Sequence, residues 1–539
     1  MSHFSALDWA VVVAYFVLTL GIAIWISKRS TQSSSSTQYF LAGRNEGWFI
    51  VGASLFASNI GAEHLVGLAG TGAARGVAVA QFEVLASLIL LVLGWVFVPF
   101  YMNSGVATMP EFLERRYSSG PRTYLALISI VGYVLTKISV TVAAGGIVFE
   151  ALMGIDFWTG AMIVVVVTGV YTLLGGLRVV LYTDMMQMFV LIGGAVLVTV
   201  MSLDAVGGWS ALRAAAGSAR FDLWKPMTDP EFPWTGILFG APILGVWYWC
   251  TDQFIVQRIL SARNETQARR GAIFAGFLKL LPLFIFVIPG ICAYVLAQSG
   301  RLQLARPDQA LPALVVALLP AGLRGVVAAG LLAALMSSLS SVFNSCATLI
   351  SLDVYKRLKP EASDRSLVVV GQVSVAALVV FGLLWVPYMN SISGTLYTYL
   401  QSVQAYISPP IAAVFLIGII WPRANAKGAM SALLVGFVLG VGRLLLEMNA
   451  ARLSGVWLTL AKENFLHVAV ALFLVCSLVL VIVSLTSAAP SRVQIANVTF
   501  ATLDRTSANR APMNLVRQDI VLSAVLALLV FVVWGMFRG

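Results

Sequence analysis

The chain has 539 residues, of which 59% are hydrophobic and only 11% are charged. An average soluble chain has about 25% charged residues, so this composition excludes an ordinary soluble protein and predicts one membrane domain. The net charge of +11 would suit a nucleic-acid partner, but the distribution of the basic residues argues against that class.

Long apolar runs recur along the whole chain. Runs of about 20 residues, taken as membrane spans, number about fourteen, with centres near Val17, Ile60, Leu90, Thr136, Val166, Leu191, Gly245, Phe284, Leu332, Ala377, Ala405, Gly436, Leu474 and Leu526. If the N-terminus and the C-terminus both lie outside, most of the 34 basic residues fall in cytoplasmic loops, as the positive-inside rule requires. The pattern predicts a multi-pass protein of the plasma (inner) membrane, whose charge needs no nucleic acid.

Residues with catalytic or metal-binding chemistry are sparse. The four cysteines have neither metal-site nor disulfide spacing, and we expect small buried side chains at Cys250, Cys292, Cys346 and Cys476. Asp184 and Asp252 are intramembrane aspartates of the kind that membrane proteases use, but they lack protease-like flanks. We therefore expect no enzyme, no organic cofactor and no obligate protein partner.

Two apolar segments are interrupted by polar or helix-breaking residues. Residues 58–64 (SNIGAEH) lie in the middle of one span, and residues 239–249 (FGAPILGVWYW) contain glycines and a proline in another. Polar groups at that depth normally face a cavity, and a pair of broken spans in two halves of a chain indicates the binding site of a secondary transporter. The alternative is two ordinary spans with tolerated glycines and a proline.

A cluster of hydroxyls, residues 336–341 (MSSLSS), interrupts a span of leucine, alanine and valine. Ser337, Ser340 and Ser341 share one helical face, whereas Ser338 turns partly away. Hydroxyls and freed backbone carbonyls are suitable ligands for a monovalent cation. Serines in spans also pack helices closely or bond to their own backbone, which is the alternative interpretation.

A set of short stretches in one order resembles the sodium/solute symporter family, and within it the sodium/glucose cotransporters and their inositol-transporting relatives. The matching residues are 39–44 (YFLAGR), 53–61 (ASLFASNIG), 82–83 (FE), 108–112 (TMPEF), 136–138 (TKI), 182–184 (YTD), 247–253 (WYWCTDQ), 278–280 (LKL), 335–339 (LMSSL), 343–345 (FNS) and 399–402 (YLQS).

The resemblance implies an all-α, polytopic fold of the leucine-transporter type, with a five-plus-five inverted repeat, one helix before it and three after it. Applied to this chain, it implies a leading helix in residues 1–30, a first repeat in 45–205, a second repeat in 235–420 and additional helices in 425–539.

The resemblance also implies two sodium sites. The main site would use the carbonyls of Ala57, Ile60 and Ala334 with the hydroxyls of Ser337 and Ser338, and the second would use Asp184, Ser337, Ser340 and Ser341. The first set agrees with a helix break that faces a serine cluster. For Asp184 the alternative is an acid near a helix N-terminus, where the helix dipole favours it.

For a substrate, the resemblance implies a sugar site made by Asn59, His64, Glu83, Tyr248, Trp249, Lys279 and Gln401. Tyr248 would be the inner gate, and Leu68 and Tyr397 would be outer-gate residues. Amides and charged groups match the hydroxyls of a neutral polyol, and aromatic faces pack against its C–H surface. Glu83 and Lys279 can also neutralise each other, so a structural ion pair is the alternative for these two.

Three positions depart from the family pattern: Gly245 lacks a polar side chain, Val84 stands where close relatives carry Trp, and Glu63 replaces a small residue. They leave the identity of the sugar open among glucose, galactose, another hexose and myo-inositol.

We expect a sodium-coupled importer of a neutral monosaccharide, with two sodium ions per sugar. The alternatives are a symporter for inositol, sialic acid, proline or pantothenate, a proton-coupled transporter, and a sensor that has kept the fold without transport. Gln401 with Lys279 and Glu83 favours polyols over amino acids, whose carboxylate would need a helix end.

Overall fold

The computed structural model describes residues 4–30, 35–61, 63–389, 396–503 and 513–538. Within these ranges the regular secondary structure is helical, with three isolated β-bridges. Eleven of the described helices are long and apolar enough to cross a membrane. The predicted all-α polytopic class is therefore confirmed.

The main helices are numbered here in chain order, with the two halves of a broken helix counted separately. They are α1 (Ala6–Ser30), α2 (Trp48–Asn59), α3 (63–75), α4 (Val77–Ser104), α5 (Ser119–Gly146), α6 (Phe157–Leu173), α7 (Gly175–Val206), α8 (Gly236–Thr251), α9 (Gln253–Leu260), α10 (Glu265–Gln298), α11 (Pro307–Leu318), α12 (Leu323–Leu358), α13 (Asp364–Met389), α14 (Leu396–Ile420), α15 (Ala426–Met448), α16 (Phe465–Thr486) and α17 (Met513–Met536). Shorter helices in the connections include Ser36–Leu41, Met109–Arg116, Gly208–Ala216 and Gly455–Lys462.

The predicted spans and the observed helices correspond closely. The eleven long helices each contain one predicted centre. The other three centres lie at the α2–α3 break (Ile60), in α6 (Val166) and in α8 (Gly245), whose helices are shorter than a full span. The count of about fourteen spans holds only if these also cross the membrane, and it stays a prediction.

The first break lies where the sequence indicates it. Helix α2 ends at Asn59, Ile60 is extended (φ −74°, ψ 96°), and helical structure resumes at Glu63. In an unbroken helix the Gly61 N–H would bond to the Ala57 carbonyl, but here it faces Nδ1 of His64 at 3.4 Å. The break therefore removes the helical partner of a backbone carbonyl deep inside the molecule.

The second break lies further along the chain than the sequence indicates. Helix α8 continues past Pro242 and Gly245 and ends at Thr251, where Asp252 is extended (φ −78°, ψ 127°). A wide π turn over Gly236–Gly240 precedes the proline, and such a turn accommodates a residue that cannot donate a backbone hydrogen bond. Pro242 is therefore absorbed within the helix, and the break occurs about two turns later.

Helix α12, which carries the serine cluster, lies at the centre of the molecule against α1, α2 and α7. Its N-cap residue, Gly322, has no side chain to cap the helix. The carboxylate of Asp8 on α1 instead accepts hydrogen bonds from the backbone N–H groups of Gly322 (2.7 Å) and Gly325 (2.8 Å). An anion at a helix N-terminus is stabilising, so α1 holds this end of α12 in place.

Helix α7 begins at a sharp turn that only glycine accommodates. Gly176 has φ +55°, and a Cβ there would lie 2.4 Å from the carbonyl oxygen of Tyr39. The turn separates α6 from α7 and orients α7 along α12. Asp184 lies more than two turns beyond it, so it is not the first-turn acid that the alternative interpretation requires.

Candidate functional site

All seven residues of the predicted sugar site line one cavity between α2, α4, α8, α10 and α14. The cavity is lined by Asn59, His64, Phe82, Glu83, Leu85, Ala86, Ile89, Ala241, Leu244, Gly245, Tyr248, Trp249, Lys279, Gln401 and Gln404. Residues as distant in sequence as Asn59 and Gln401 thus meet because two broken helices leave room between them.

A buried ion pair forms one wall of the cavity. The ammonium of Lys279 donates to Oε2 of Glu83 and, at 2.5 Å, to Oδ1 of Asn59. Because the Gly61 N–H faces Nδ1 of His64, the proton of a neutral ring belongs on Nε2, which lies 3.1 Å from Oε1 of Glu83. Glu83, His64 and Lys279 are each at most 7% exposed, and they compensate one another's charge without a ligand.

Tyr248, the predicted inner gate, closes the network on its other side. Its hydroxyl accepts a hydrogen bond from Nδ2 of Asn59 (3.0 Å) and one from the ammonium of Lys137 (3.2 Å). The same ammonium lies 4.3 Å from the centre of the Tyr248 ring, and the Trp249 ring packs edge-on against Tyr248. One cation and one amide therefore hold the Tyr248 ring at the floor of the cavity.

The remaining predicted residues of the sugar site and gates differ in how they relate to the cavity. Gln401 lines it from α14. Gly245 lines it without a polar group. Leu68 is buried in α3 but does not line it, and the side chain of Tyr397 lies outside the described part of the chain.

The serine helix meets the first break. The hydroxyl of Ser338 donates to the carbonyl of Ser58 at 2.9 Å and lies 3.4 Å from the carbonyl of Ile60. Ala57, Ile60 and Ala334, whose carbonyls complete the predicted main sodium site, are all buried. Ser338 is therefore the hydroxyl in contact with the break, whereas its neighbour Ser337 contacts Asp184.

Ser337 faces Asp184 on α7. Its hydroxyl donates to Oδ1 of Asp184 at 2.5 Å, and Ser54 of α2 donates to Oδ2 at 2.5 Å. Ser340 donates to the carbonyl of Ser337 at 3.0 Å, and the buried hydroxyl of Ser341 has no partner among the described residues. Asp184 is fully buried, and hydroxyls bond to both oxygens of its carboxylate.

Sequence reasoning missed two contacts of this region. Ser54 lies one turn before Ser58 on α2 and reaches Asp184, a contact that only the packing of α2 against α7 reveals. Lys137 is a basic residue within an apolar run, and its position beneath Tyr248 depends on how α5 packs against α8. A lone basic residue inside an apolar run was the only available signal for it.

The chain can now be compared with known proteins. The sodium:solute symporter family matches residues 39–436. The chain is 38% identical to the sodium/glucose cotransporter 1 of Oryctolagus cuniculus over an alignment of 525 residues. This alignment covers 89% of this chain and 79% of the relative. It is 41% identical to the sodium/myo-inositol cotransporter 2 of Mus musculus over an alignment of 478 residues. This second alignment covers 83% of this chain and 71% of the relative.

The fold is also that of a solved transporter. A Na+-coupled sialic acid symporter, in a substrate-bound outward-open state, superposes with a TM-score of 0.76 at 24% identity, covering 91% of this chain and 100% of the other. The leucine-transporter type of fold is as the sequence implied. The family match over residues 39–436 and relatives above 30% identity over most of their length identify the chain as a member of the sodium:solute symporter family, a sodium-coupled solute symporter and not an enzyme.

Proposed function

We propose that the protein imports a neutral monosaccharide, a hexose of the glucose or galactose type, together with two sodium ions. One observation carries this proposal: seven polar and aromatic side chains from five helices, with the broken helix α2–α3 counted once, line a single cavity next to a helix break that faces a serine cluster. Such convergent polar groups in an otherwise apolar cavity are typical of a specific small-molecule site.

The charges around the cavity favour a neutral substrate. Glu83 is paired with Lys279 and contacts His64, so the wall has no unopposed charge for an ionic ligand. Asn59 and Gln401 offer amide donors and acceptors, and Trp249 with Tyr248 offers aromatic faces. A carboxylate substrate would instead require an unpaired cation or an open helix N-terminus.

The main sodium site is proposed at the break, with the carbonyls of Ala57, Ile60 and Ala334 and the hydroxyls of Ser337 and Ser338. A cation there would bind the freed carbonyls directly beside Asn59, whose amide reaches the cavity. Ordering of the break by sodium would therefore orient Asn59, Tyr248 and Lys279 for the sugar. This adjacency provides the physical link between ion binding and sugar binding.

The second sodium site is proposed at Asp184 with Ser337, Ser340 and Ser341. Asp184 is fully buried, and the ion pairs of the described residues do not include it. The buried guanidinium of Arg258 on α9 attracts Asp184 from beyond ion-pair distance. An ionised carboxylate without a cation in direct contact is costly in such an environment. A bound sodium ion would supply that direct contact, and the neighbouring hydroxyls would supply further oxygen ligands.

Myo-inositol is the second candidate substrate. The sodium/myo-inositol cotransporter 2 of Mus musculus is 41% identical to this chain, and a cyclitol offers the same hydroxyl chemistry as a pyranose. Gly245, which gives the cavity no polar group, leaves one contact fewer with which to distinguish the two rings.

The organisation of the chain follows from the same proposal. We place the leading helix in residues 1–30, the two inverted repeats in 45–205 and 235–420, and the additional helices in 425–539. Both termini lie outside the plasma (inner) membrane, because that orientation puts most basic loop residues in the cytoplasm. Reaction of single cysteines, introduced near each terminus, with an impermeant thiol reagent tests the orientation.

Uptake by the purified protein in proteoliposomes tests the function. A panel of labelled glucose, galactose, other hexoses, myo-inositol, sialic acid and proline is offered with and without an inward sodium gradient. We expect sodium-dependent accumulation of a hexose, and preferential accumulation of myo-inositol would favour the second candidate. Accumulation of only sialic acid or proline, or accumulation driven by protons without sodium, would contradict the proposal.

A further inference from the structure

A cluster of buried polar side chains surrounds the proposed second sodium site on the side away from Ser54. Tyr15 comes from α1, Tyr171 from α6 and Gln187 from α7, one helical turn after Asp184. All three are at most 5% exposed. The hydroxyl of Tyr171 neighbours the side chains of Ser340 and Gln187, so the cluster adjoins the residues that hold Asp184.

The hydrogen bonds of Tyr15 determine the orientation of the Gln187 amide. The Tyr15 hydroxyl lies 3.9 Å from Sδ of Met336 and 3.0 Å from Nε2 of Gln187. A thioether sulfur can only accept, so the hydroxyl proton points to Met336 and its oxygen accepts from the amide. The NH2 group of Gln187 therefore faces α1, and its carbonyl oxygen points elsewhere.

That carbonyl oxygen has no partner. Among the described residues, Oε1 of Gln187 and Oγ of Ser341 are both buried without a hydrogen bond. The hydroxyl protons nearby are already donated: Tyr171 donates to the carbonyl of Met336 at 2.9 Å, and Ser340 donates to that of Ser337. The cluster thus presents oxygen lone pairs beside a buried carboxylate, and buried polar atoms are rarely left unpaired without a reason.

We infer that the carbonyl oxygen of Gln187 is a further ligand of the second sodium site and that Tyr15 orients it. The inference rests on the proposed function, since it requires a cation at Asp184. It explains why a neutral amide is held one turn from that carboxylate with its oxygen unpaired. It also gives the leading helix, which lies outside the predicted repeats, a part in ion binding as the element that carries the positioning residue Tyr15.

Variants at Gln187 separate a ligand from a structural hydrogen bond. Gln187→Met keeps the length of the side chain but removes the oxygen, whereas Gln187→Glu keeps an oxygen and removes the NH2 group. Tyr15→Phe leaves Gln187 intact and releases its orientation. Thr172→Val is the matched control, because Thr172 is buried on α6 beside Tyr171 and its hydroxyl donates to its own helix at Thr168 (2.7 Å).

The experiment measures sodium-dependent sugar uptake and charge per sugar in proteoliposomes containing the full chain. Loss of one oxygen ligand or its orientation costs about 1 kcal/mol, or about fivefold in an equilibrium constant. We expect Gln187→Met to raise the half-saturating sodium concentration about fivefold or more and to lower the Hill coefficient toward one. Tyr15→Phe should act in the same direction but less, and Gln187→Glu and Thr172→Val should keep steep sodium dependence. Sugar affinity at saturating sodium should stay unchanged in all four.

The Asp184→Asn variant distinguishes a failure of the proposed second sodium site from a failure of the proposed role of Gln187 in it. If Asp184→Asn loses the steep sodium dependence while Gln187→Met keeps it, Gln187 is not a ligand and the second site stands without it. If neither variant changes it, the second site itself is wrong. If Gln187→Glu fails as Gln187→Met does, the NH2 group matters rather than the oxygen, and the role of Gln187 is structural. Should Gln187→Met not reach the membrane, Tyr15→Phe with wild-type sodium dependence would overturn the inference.

Discussion

Two buried polar regions of this protein lie side by side and handle charge in opposite ways. In the sugar cavity, Glu83 is paired with Lys279 and contacts His64. In the cluster around α7, Asp184 accepts hydrogen bonds from the hydroxyls of Ser54 and Ser337, and the buried guanidinium of Arg258 on α9 attracts it from beyond ion-pair distance. The carboxylate of the first region is in direct contact with a cation, and the carboxylate of the second region is not.

The difference follows from the nature of the two proposed cargoes. A neutral sugar adds no charge, so the cavity must carry its own counter-ion for each ionised group that it uses in recognition. A sodium ion adds one charge, and a site that already contained a lysine would repel it. The comparison therefore assigns the sugar to the region whose carboxylate contacts a cation and the sodium ion to the region whose carboxylate does not, and the following substitutions test it.

The largest effect is expected from Lys279→Ala, which makes the cavity resemble the Asp184 cluster. It leaves Glu83 without its ammonium and removes a charge-assisted hydrogen bond, worth about 1.5–3 kcal/mol or up to more than a hundredfold in affinity. Sugar uptake should fall by about that factor, and the second substitution Glu83→Gln should partly restore it. Lys427→Ala, at an exposed position, is the control. Wild-type uptake by Lys279→Ala would show that the ion pair is dispensable.

Asp184→Asn makes the reverse change, because it removes the carboxylate that has no cation in direct contact. We expect a half-saturating sodium concentration about tenfold higher, as for a lost charge-assisted contact, and a Hill coefficient near one. Ser340→Ala should act in the same direction. Reversal potentials should show two charges per sugar in the wild type and one in the variants. One charge per sugar in the wild type would contradict a second site.

Gln401→Ala removes a cavity amide without disturbing either charge balance. Because the Gln401 amide lines the cavity, where it can bond to the substrate, we expect about a tenfold loss of sugar affinity. This loss is near the upper range for a single neutral hydrogen bond. The sodium dependence measured at saturating sugar should be unchanged. Unaltered sugar affinity, with normal amounts of protein in the membrane, would rule Gln401 out as a ligand.

Ser338→Ala is expected to have the smallest effect, because it removes one of about five oxygens from the main sodium site. The expected loss of sodium affinity is about fivefold, for a contribution near 1 kcal/mol. Ser374→Ala is a matched control, since Ser374 is buried in α13 and its hydroxyl donates to its own helix at Val370 (2.7 Å). Equal sodium affinity in the two variants would remove Ser338 from the site.

The sequence by itself was sufficient for the all-helical membrane class, the first helix break and the family. Apolar runs of spanning length determine the class, because only helices or closed barrels satisfy the backbone in lipid. Polar residues at positions 58–64 marked the first break, since they are too costly to face lipid. In α8 the proline and glycines were poorer guides, because a π turn absorbs Pro242 and the break lies at Asp252.

Tertiary structure alone decided how the charges are distributed between the two regions. The contacts of Glu83 with Lys279, of Asp184 with Ser54, and of Tyr15 with Gln187 join helices that are more than a hundred residues apart. Helical periodicity shows which face of a helix is polar, but not which other helix that face meets. Whether a buried carboxylate has a counter-ion depends on that pairing of helices. The sequence indicated the polar residues, and the packing decided that Glu83 contacts a cation directly whereas Asp184 contacts hydroxyls.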